Sequence, residues 1–172
     1  MANEIYINKI ISSLKMKLDK NNTMYRISYK ADVILSKVKF NEPLDEEELN
    51  KLKDINLPED YISFLRISNG AEFFIDDYRG SQGILKLYSL NEIIDGKKFY
   101  STNLQSNNEY PIGILLDNAD LIVDEIALKN KGNYLCLSDG SKKFNYSFQE
   151  WLDKFIIAQG NEFWLLDSSY DE

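Results

Sequence analysis

Histidine is absent from this 172-residue sequence, and cysteine occurs only once. Histidine is the commonest general base of enzymes, the usual activator of a nucleophile and the commonest transition-metal ligand, so most hydrolase sites are excluded. A single cysteine cannot form an internal disulfide, and Cys136 has apolar neighbours, which predicts a small buried side chain. These absences argue against a conventional active site.

Proline and glycine are scarce, with three and eight residues, and there is no repeat, low-complexity tract or Ser/Gly-rich linker. With 44% apolar residues, a chain of this length is expected to form a single domain over residues 1–172. No basic patch precedes an apolar run at the N-terminus, and no apolar run has membrane-spanning length. We therefore expect a soluble cytoplasmic protein with no membrane partner.

Positive charge is also in short supply, since the formal net charge is −8. Binding to nucleic acid requires clustered cations that displace counterions, and the longest basic runs are two lysines each, at 97–98 and 142–143. The excess of carboxylates favours a basic partner instead, although many ordinary soluble proteins are equally acidic. No nucleic-acid partner is expected.

The N-terminal part contains one clear helix and one ambiguous segment. Residues 4–19 place an apolar stripe on one side of a helix, which predicts that this helix packs on the domain. Residues 24–38 alternate like a strand in their first half, whereas their second half could continue as a helix. Both interpretations remain open.

The middle of the chain alternates short apolar segments with turn residues, which is typical of hairpin-linked strands. Strands are predicted at 72–75, 84–88, 111–116, 120–126 and 133–137. The first two should be antiparallel neighbours joined by a loop that contains Gly80 and Gly83, and a meander is the simplest connection for the last three.

Two helices are predicted from capping boxes, in which a serine precedes a glutamate by three positions. Ser89 and Glu92 open a short helix that should end near Gly96, and Ser147 opens a helix that ends at Gly160. The predicted fold class is α+β, a single domain with a mostly antiparallel sheet of about five or six strands and helices packed on it.

The most ordered pattern lies between residues 40 and 70. Pro58 has no backbone N–H and a fixed φ, which suit the first turn of a helix, and Gly70 can adopt the left-handed conformation that ends one. Upstream, Asp45 and Glu48 have the spacing of a weaker capping pair and open another short helix. The segment is therefore a helix pair.

This pair resembles the SUKH superfamily, which includes a fungal regulator of cell-wall synthesis and many bacterial proteins that neutralise toxins of interbacterial competition. The matching residues are Pro43, Glu47, Leu49, Leu57, Pro58, Tyr61, Phe64, Leu65, Asn69 and Gly70. Residues 147–152 are similar to the closing helix of the family, so the recognisable core spans residues 40–157. The resemblance implies an α+β domain that binds proteins.

Without histidine, pairs of carboxylates are the remaining candidates for catalysis or metal binding. They could act as acid–base pairs or as ligands of a hard cation. The candidates are Asp76 with Asp77, Asp117 with Asp120, and Asp124 with Glu125. Their spacing fits no calcium loop, and adjacent acids in strands and turns usually point to opposite faces or to water. We predict no catalytic residue, no metal site and no cofactor.

The favoured hypothesis is a binding protein that neutralises a basic toxin domain, such as a nuclease, through an acidic surface. The partner-binding candidates are Asp45, Glu46, Glu47, Glu48, Asp76, Asp77, Tyr78, Asp117, Asp120 and Asp124. Aromatic residues in polar loops are expected to be exposed, namely Tyr78, Tyr100, Tyr110, Trp164 and Tyr170. The family match transfers no contact residues, because toxins differ.

Two alternatives stay open. The first is a regulatory or scaffold module of the cell-wall-synthesis-regulator type, which would bind several partners weakly. The second is a carboxylate- or metal-dependent hydrolase, which ranks last because no catalytic constellation is visible. The sequence leaves the oligomeric state undetermined.

Overall fold

A seven-stranded antiparallel sheet organises the protein, and each strand pairs with the next along the chain. The computed structural model describes residues 2–52, 55–76, 83–116 and 118–165. The strands in these ranges are β1 Thr23–Ile27, β2 Val33–Phe40, β3 Ala71–Ile75, β4 Leu85–Leu87, β5 Glu109–Leu115, β6 Asp120–Asp124 and β7 Leu135–Leu137. The α+β class is confirmed, with a sheet slightly larger than predicted.

Helices pack against this sheet and enclose one hydrophobic core. They are α1 Ala2–Lys15, α2 Glu46–Lys51, α3 Glu59–Leu65, α4 Leu90–Asn103, α5 Glu125–Lys129, α6 Phe148–Ile157 and a 3-10 helix at Phe163–Leu165. Helices α1, α3 and α6 contact one another, and α4 packs on β5.

The segment that the sequence left open, residues 24–38, belongs to a β-hairpin. Tyr25 of β1 pairs with Leu35 of β2, and Ile27 pairs with Val33. The strand interpretation is therefore right for both halves. Alternation decides it, because every second side chain of β2 is exposed while Ser36 between them is buried.

Helix α1 ends at Lys15, four residues earlier than the sequence predicts. The chain then turns around Asp19, whose carboxylate accepts hydrogen bonds from the backbone N–H groups of Asn21 (2.8 Å) and Thr23 (2.9 Å). Such side-chain bonds offer the backbone an alternative to the helix, and they set the start of β1.

Helix α3 follows the predicted pattern. It begins after Pro58, whose φ is −58°, and its side chains Tyr61 and Phe64 are fully buried. Its neighbour Asp60 is also buried, and the carboxylate accepts a hydrogen bond from the backbone N–H of Gln149 at 2.9 Å. Burial raises the pKa of Asp60. This contact ties α3 to the first turn of α6.

Both capping boxes are present, but the predicted end of α4 is wrong. Helix α4 continues through Gly96 to Asn103. A Cβ atom at position 96 would lie 2.6 Å from Cγ of Pro111 on β5. The glycine therefore permits close packing of helix on strand and does not stop the helix, a role that only the tertiary structure reveals.

Replacing Gly96 with alanine is therefore expected to destabilise the protein by about 1–3 kcal/mol, because the new methyl group overlaps a rigid proline ring. Inside an unconstrained helix the same change would stabilise by roughly 1 kcal/mol. Urea unfolding of Gly96→Ala against the exposed control Lys98→Ala on the same helix measures the difference. A gain in stability would show that Pro111 can move aside.

The outer side of β7 is paired by the chain itself. The N–H of Leu137 donates to the carbonyl of Lys142 at 2.9 Å, and the N–H of Phe144 donates to the carbonyl of Leu135 at 2.8 Å. Residues 142–144 thus fold back along the last strand of the sheet and occupy its hydrogen-bonding groups.

Candidate partner-binding surface

Helix α2 carries the most accessible group of the predicted acidic residues. Its first turn is a capping box, since the N–H of Glu48 donates to the Asp45 carboxylate at 2.7 Å and the N–H of Asp45 donates to the Glu48 carboxylate at 3.3 Å. Asp45 and Glu47 are exposed, and Glu48 is half-buried. Glu46 lies between them at the start of the helix. Two carboxylates at this end of α2 therefore face solvent.

Asp76 is not part of such a surface. Its carboxylate is 2% exposed and lies 3.2 Å from the guanidinium of Arg26 on β1, whose side chain is 1% exposed. The Arg26 Nε–H group also donates to the hydroxyl of Ser36 on β2 at 2.9 Å. The predicted contact residue Asp76 is therefore a partner in a buried ion pair that links β1 to the end of β3.

Asp120 and Asp124 lie at opposite ends of β6, about 13 Å apart along the strand. The hydroxyl of Tyr100 on α4 donates to Asp120 at 2.7 Å. Burial and this bond raise the pKa of Tyr100. Asp117, the predicted partner of Asp120, lies outside the described residues, so that carboxylate pair stays a prediction.

Asp124 ends β6 earlier than the sequence predicts, because it caps helix α5. Its carboxylate accepts a hydrogen bond from the N–H of Ala127 at 2.9 Å and lies 3.4 Å from the ammonium of Lys143. The next residue, Glu125, is buried and forms an ion pair with Lys97 of α4. These adjacent acids have separate structural partners.

Three predicted contact residues, Asp77, Tyr78 and Asp117, lie outside the described residues, as do most of the loop 80–83 and Tyr170. They stay predictions. Among the acidic candidates that are described, Asp45 and Glu47 are exposed, and Asp120 and Asp124 are half-buried at the other end of the sheet.

Three aromatic residues predicted to be exposed are buried instead. Tyr100 is 5% exposed and Tyr110 is fully buried, with its hydroxyl donating to the carbonyl of Asn56 at 2.6 Å. Trp164 is 4% exposed and stacks on Trp151 of α6 with ring centroids 5.9 Å apart. Polar sequence neighbours misled the prediction, because the contacts that bury these rings come from distant parts of the chain.

The hairpin β1–β2 presents an exposed apolar cluster that the sequence reasoning missed. We call it the hairpin face, and it consists of Tyr25, Ile27, Val33 and Leu35. The available signal was the alternation over residues 25–35, which puts every second residue on one side of a strand. Nothing in the local pattern shows which side the core covers.

Three features of the described residues bear on function, namely the arrangement of potential metal ligands, the reactivity of the cysteine thiol and the length of the helices. No cluster of carboxylates or cysteines in the described ranges has the geometry of a metal site. Burial raises the pKa of the half-buried Cys136 thiol to about 11, which disfavours the reactive thiolate. None of the helices in the described part of the chain is long and apolar enough to span a membrane.

Comparison with known proteins identifies a similar protein and the family of this chain. It is 30% identical over 172 residues to the uncharacterized protein YobM of Bacillus subtilis (strain 168), an alignment that covers 92% of this chain and 91% of YobM. A sequence model of the SMI1/KNR4 family (SUKH-1) matches residues 43–169, which include α3, α6 and most of the sheet. The chain belongs to the SMI1/KNR4 family (SUKH-1).

Proposed function

We propose that the chain is a non-enzymatic immunity protein that acts in the cytoplasm and neutralises a bacterial toxin domain by direct binding. Family membership is the observation that carries the proposal, because the bacterial branch of the SUKH superfamily contains proteins of this kind. No named residue is assigned a catalytic role. The toxin would be a basic domain such as a nuclease.

Charge supplies the physical part of the argument. The net charge of −8 attracts a basic partner over a distance of about one Debye length and accelerates encounter. The exposed carboxylates of Asp45 and Glu47 at the start of α2 would compete with nucleic-acid phosphates for a basic cleft. Fast association is what an antidote requires.

The test is growth of cells that express the C-terminal domain encoded by the adjacent upstream gene, with and without this protein. Rescue of growth together with a co-purifying complex would support the immunity role. Toxicity without rescue, or absence of toxicity, would contradict it and favour a regulatory scaffold with several weak partners.

Removing the charges of Asp45 and Glu47 is expected to slow association with that toxin domain about threefold to tenfold at low ionic strength. The variant Asp45→Asn with Glu47→Gln removes two charges and keeps a side chain that can cap α2. The double variant Asp95→Asn with Asp139→Asn, at two exposed acids elsewhere, is the matched control. Stopped-flow association rates at several salt concentrations compare the α2 variant with the control variant. Equal rates for the two variants would exclude α2 as the binding surface.

A further inference from the structure

The hairpin face has the exposure of an interaction surface. Tyr25 is 72% exposed and Leu35, its cross-strand partner, is 52% exposed; Ile27 is 54% exposed and its partner Val33 is 69% exposed. The four side chains form two adjacent rows on the same side of the hairpin. Contiguous apolar patches on soluble proteins commonly mark sites where another molecule binds.

A partner cannot reach this site simply by extending the sheet, because the chain occupies the outward-facing backbone groups at both ends of β1. At one end, the N–H of Thr23 donates to the Asp19 carboxylate and its carbonyl accepts from the Asp19 N–H, both at 2.9 Å.

At the other end of β1, the backbone of Ile27 is held by two side chains from the segment after α6. Its N–H donates to Oε1 of Gln159 at 2.6 Å, and its carbonyl accepts from Nδ2 of Asn161 at 2.9 Å. Strand addition needs these groups free. The hairpin is therefore open to side-chain packing on its face.

Basic residues flank the hairpin face. Lys37 is exposed on the same side of β2, one row beyond Leu35, and Lys30 is exposed at the turn of the hairpin. The nearby acids are the exposed Asp32 at the turn, Glu72 on β3, which lies 3.8 Å from Lys39, and one acid at each end of β1. These last two are Asp19, whose carboxylate accepts from the N–H of Thr23, and the exposed Glu162, which follows Asn161. Lys30 and Lys37 are exposed cations beside the apolar rows.

The charge is distributed unevenly along the chain. Residues 1–40 contain eight Lys and Arg against three Asp and Glu, whereas residues 41–172 contain twelve against 25. Within the hairpin itself, residues 23–40, the exposed charged residues are Lys30, Lys37 and Lys39 against Asp32. An anionic partner is therefore repelled by most of this acidic protein and attracted to the hairpin. Face-to-face packing of two copies would bring the lysines of both hairpins together, which disfavours a symmetric dimer at this site.

We propose that the hairpin face docks a protein partner through an apolar patch of that partner flanked by carboxylates. The apolar rows supply contact area, and Lys30 and Lys37 select the partner by charge. This partner chemistry is opposite in sign to that of the toxin proposed above. The inference rests on the hairpin alone and does not require the immunity role.

Selection of a displayed library of random peptides on the purified full-length protein tests the proposal without knowledge of the partner. We expect enrichment of peptides that combine apolar residues with Asp and Glu. The double variant Ile27→Thr with Leu35→Thr places β-branched side chains, which suit strands, at both positions and should weaken binding of these peptides at least about tenfold. Lys30→Glu with Lys37→Glu should have a similar effect.

Matched controls place the same changes elsewhere. Ile157→Thr alters an apolar side chain that is 69% exposed on α6, and Lys98→Glu reverses an exposed charge on α4. Both controls should bind the peptides like the unchanged protein. Circular dichroism of every variant establishes that the fold is intact.

Three outcomes would overturn the proposal. These are a lack of enrichment on the unchanged protein, peptides that bind the hairpin variants undiminished, and concentration-dependent self-association in sedimentation velocity that the hairpin variants abolish. The last would show that a second copy occupies the hairpin face.

Discussion

Replacing Asp76 with alanine is expected to lower the free energy of unfolding by about 3–5 kcal/mol, because it removes the carboxylate that pairs with the buried guanidinium of Arg26. Arg26 is 2% exposed, and its guanidinium group joins β1 to Ser36 of β2 and to Asp76 at the end of β3. The loss should appear as a lower denaturation midpoint at an unchanged slope in guanidinium unfolding.

The paired replacement separates the cost of an orphaned charge from the value of the ion pair. Arg26→Met with Asp76→Leu removes both charges and should recover most of the stability lost in either single variant. Lys143→Ala, which breaks an exposed contact with Asp124, is the control and should cost less than about 1 kcal/mol. A single-variant loss as small as that of the control would show that Arg26 becomes solvated when Asp76 is removed.

Replacing Tyr61 with alanine is expected to cost a similar amount, about 3–5 kcal/mol, by opening a cavity under α3. The ring is fully buried, and its centroid lies 4.6 Å from that of Phe148 on α6. Its hydroxyl proton is shared by two carbonyl oxygens, that of Tyr88 at 2.8 Å and that of Ile112 at 2.7 Å. One side chain thus joins α3 to the end of β4 and to the middle of β5.

Tyr61→Phe isolates the hydroxyl and should cost about 1–3 kcal/mol, since it removes a buried donor that the carbonyls of Tyr88 and Ile112 share. Tyr29→Ala, at a ring that is 75% exposed on the hairpin turn, is the control and should change stability by less than about 0.5 kcal/mol. Thermal and urea unfolding of the three variants measure their losses of stability, which should decrease from Tyr61→Ala to Tyr61→Phe to Tyr29→Ala. If Tyr61→Ala and Tyr29→Ala unfolded at the same midpoint, Tyr61 would have no structural role.

The sequence was informative where structure is determined by neighbouring residues. Pro58 and the capping pairs act within one helical turn, so the starts of α3, α4 and α6 could be predicted from a few residues each. The antiparallel pairs β3–β4, β5–β6 and β6–β7 followed from the tendency of consecutive strands to be neighbours.

The predictions were wrong where contacts with distant parts of the chain determine the structure. The end of α4 depends on Pro111, which approaches Gly96 from another strand. Asp76 is buried by Arg26, 50 residues away, and looks like a surface acid when its local sequence alone is considered. Among the predicted acidic contact residues near α2, Asp45 and Glu47 are exposed to solvent.

The two edge strands of the sheet, β1 and β7, are partly covered by other parts of the chain, and this affects the tendency to aggregate. An unpaired edge strand can form backbone hydrogen bonds with a strand of another molecule. An exposed apolar surface next to such an edge favours fibril growth. Here residues 142–144 cover the margin at β7, while Asp19, Gln159 and Asn161 cover that at β1. The exposed apolar hairpin thus lies beside a strand whose two ends are closed to another strand, which disfavours fibril growth from β1.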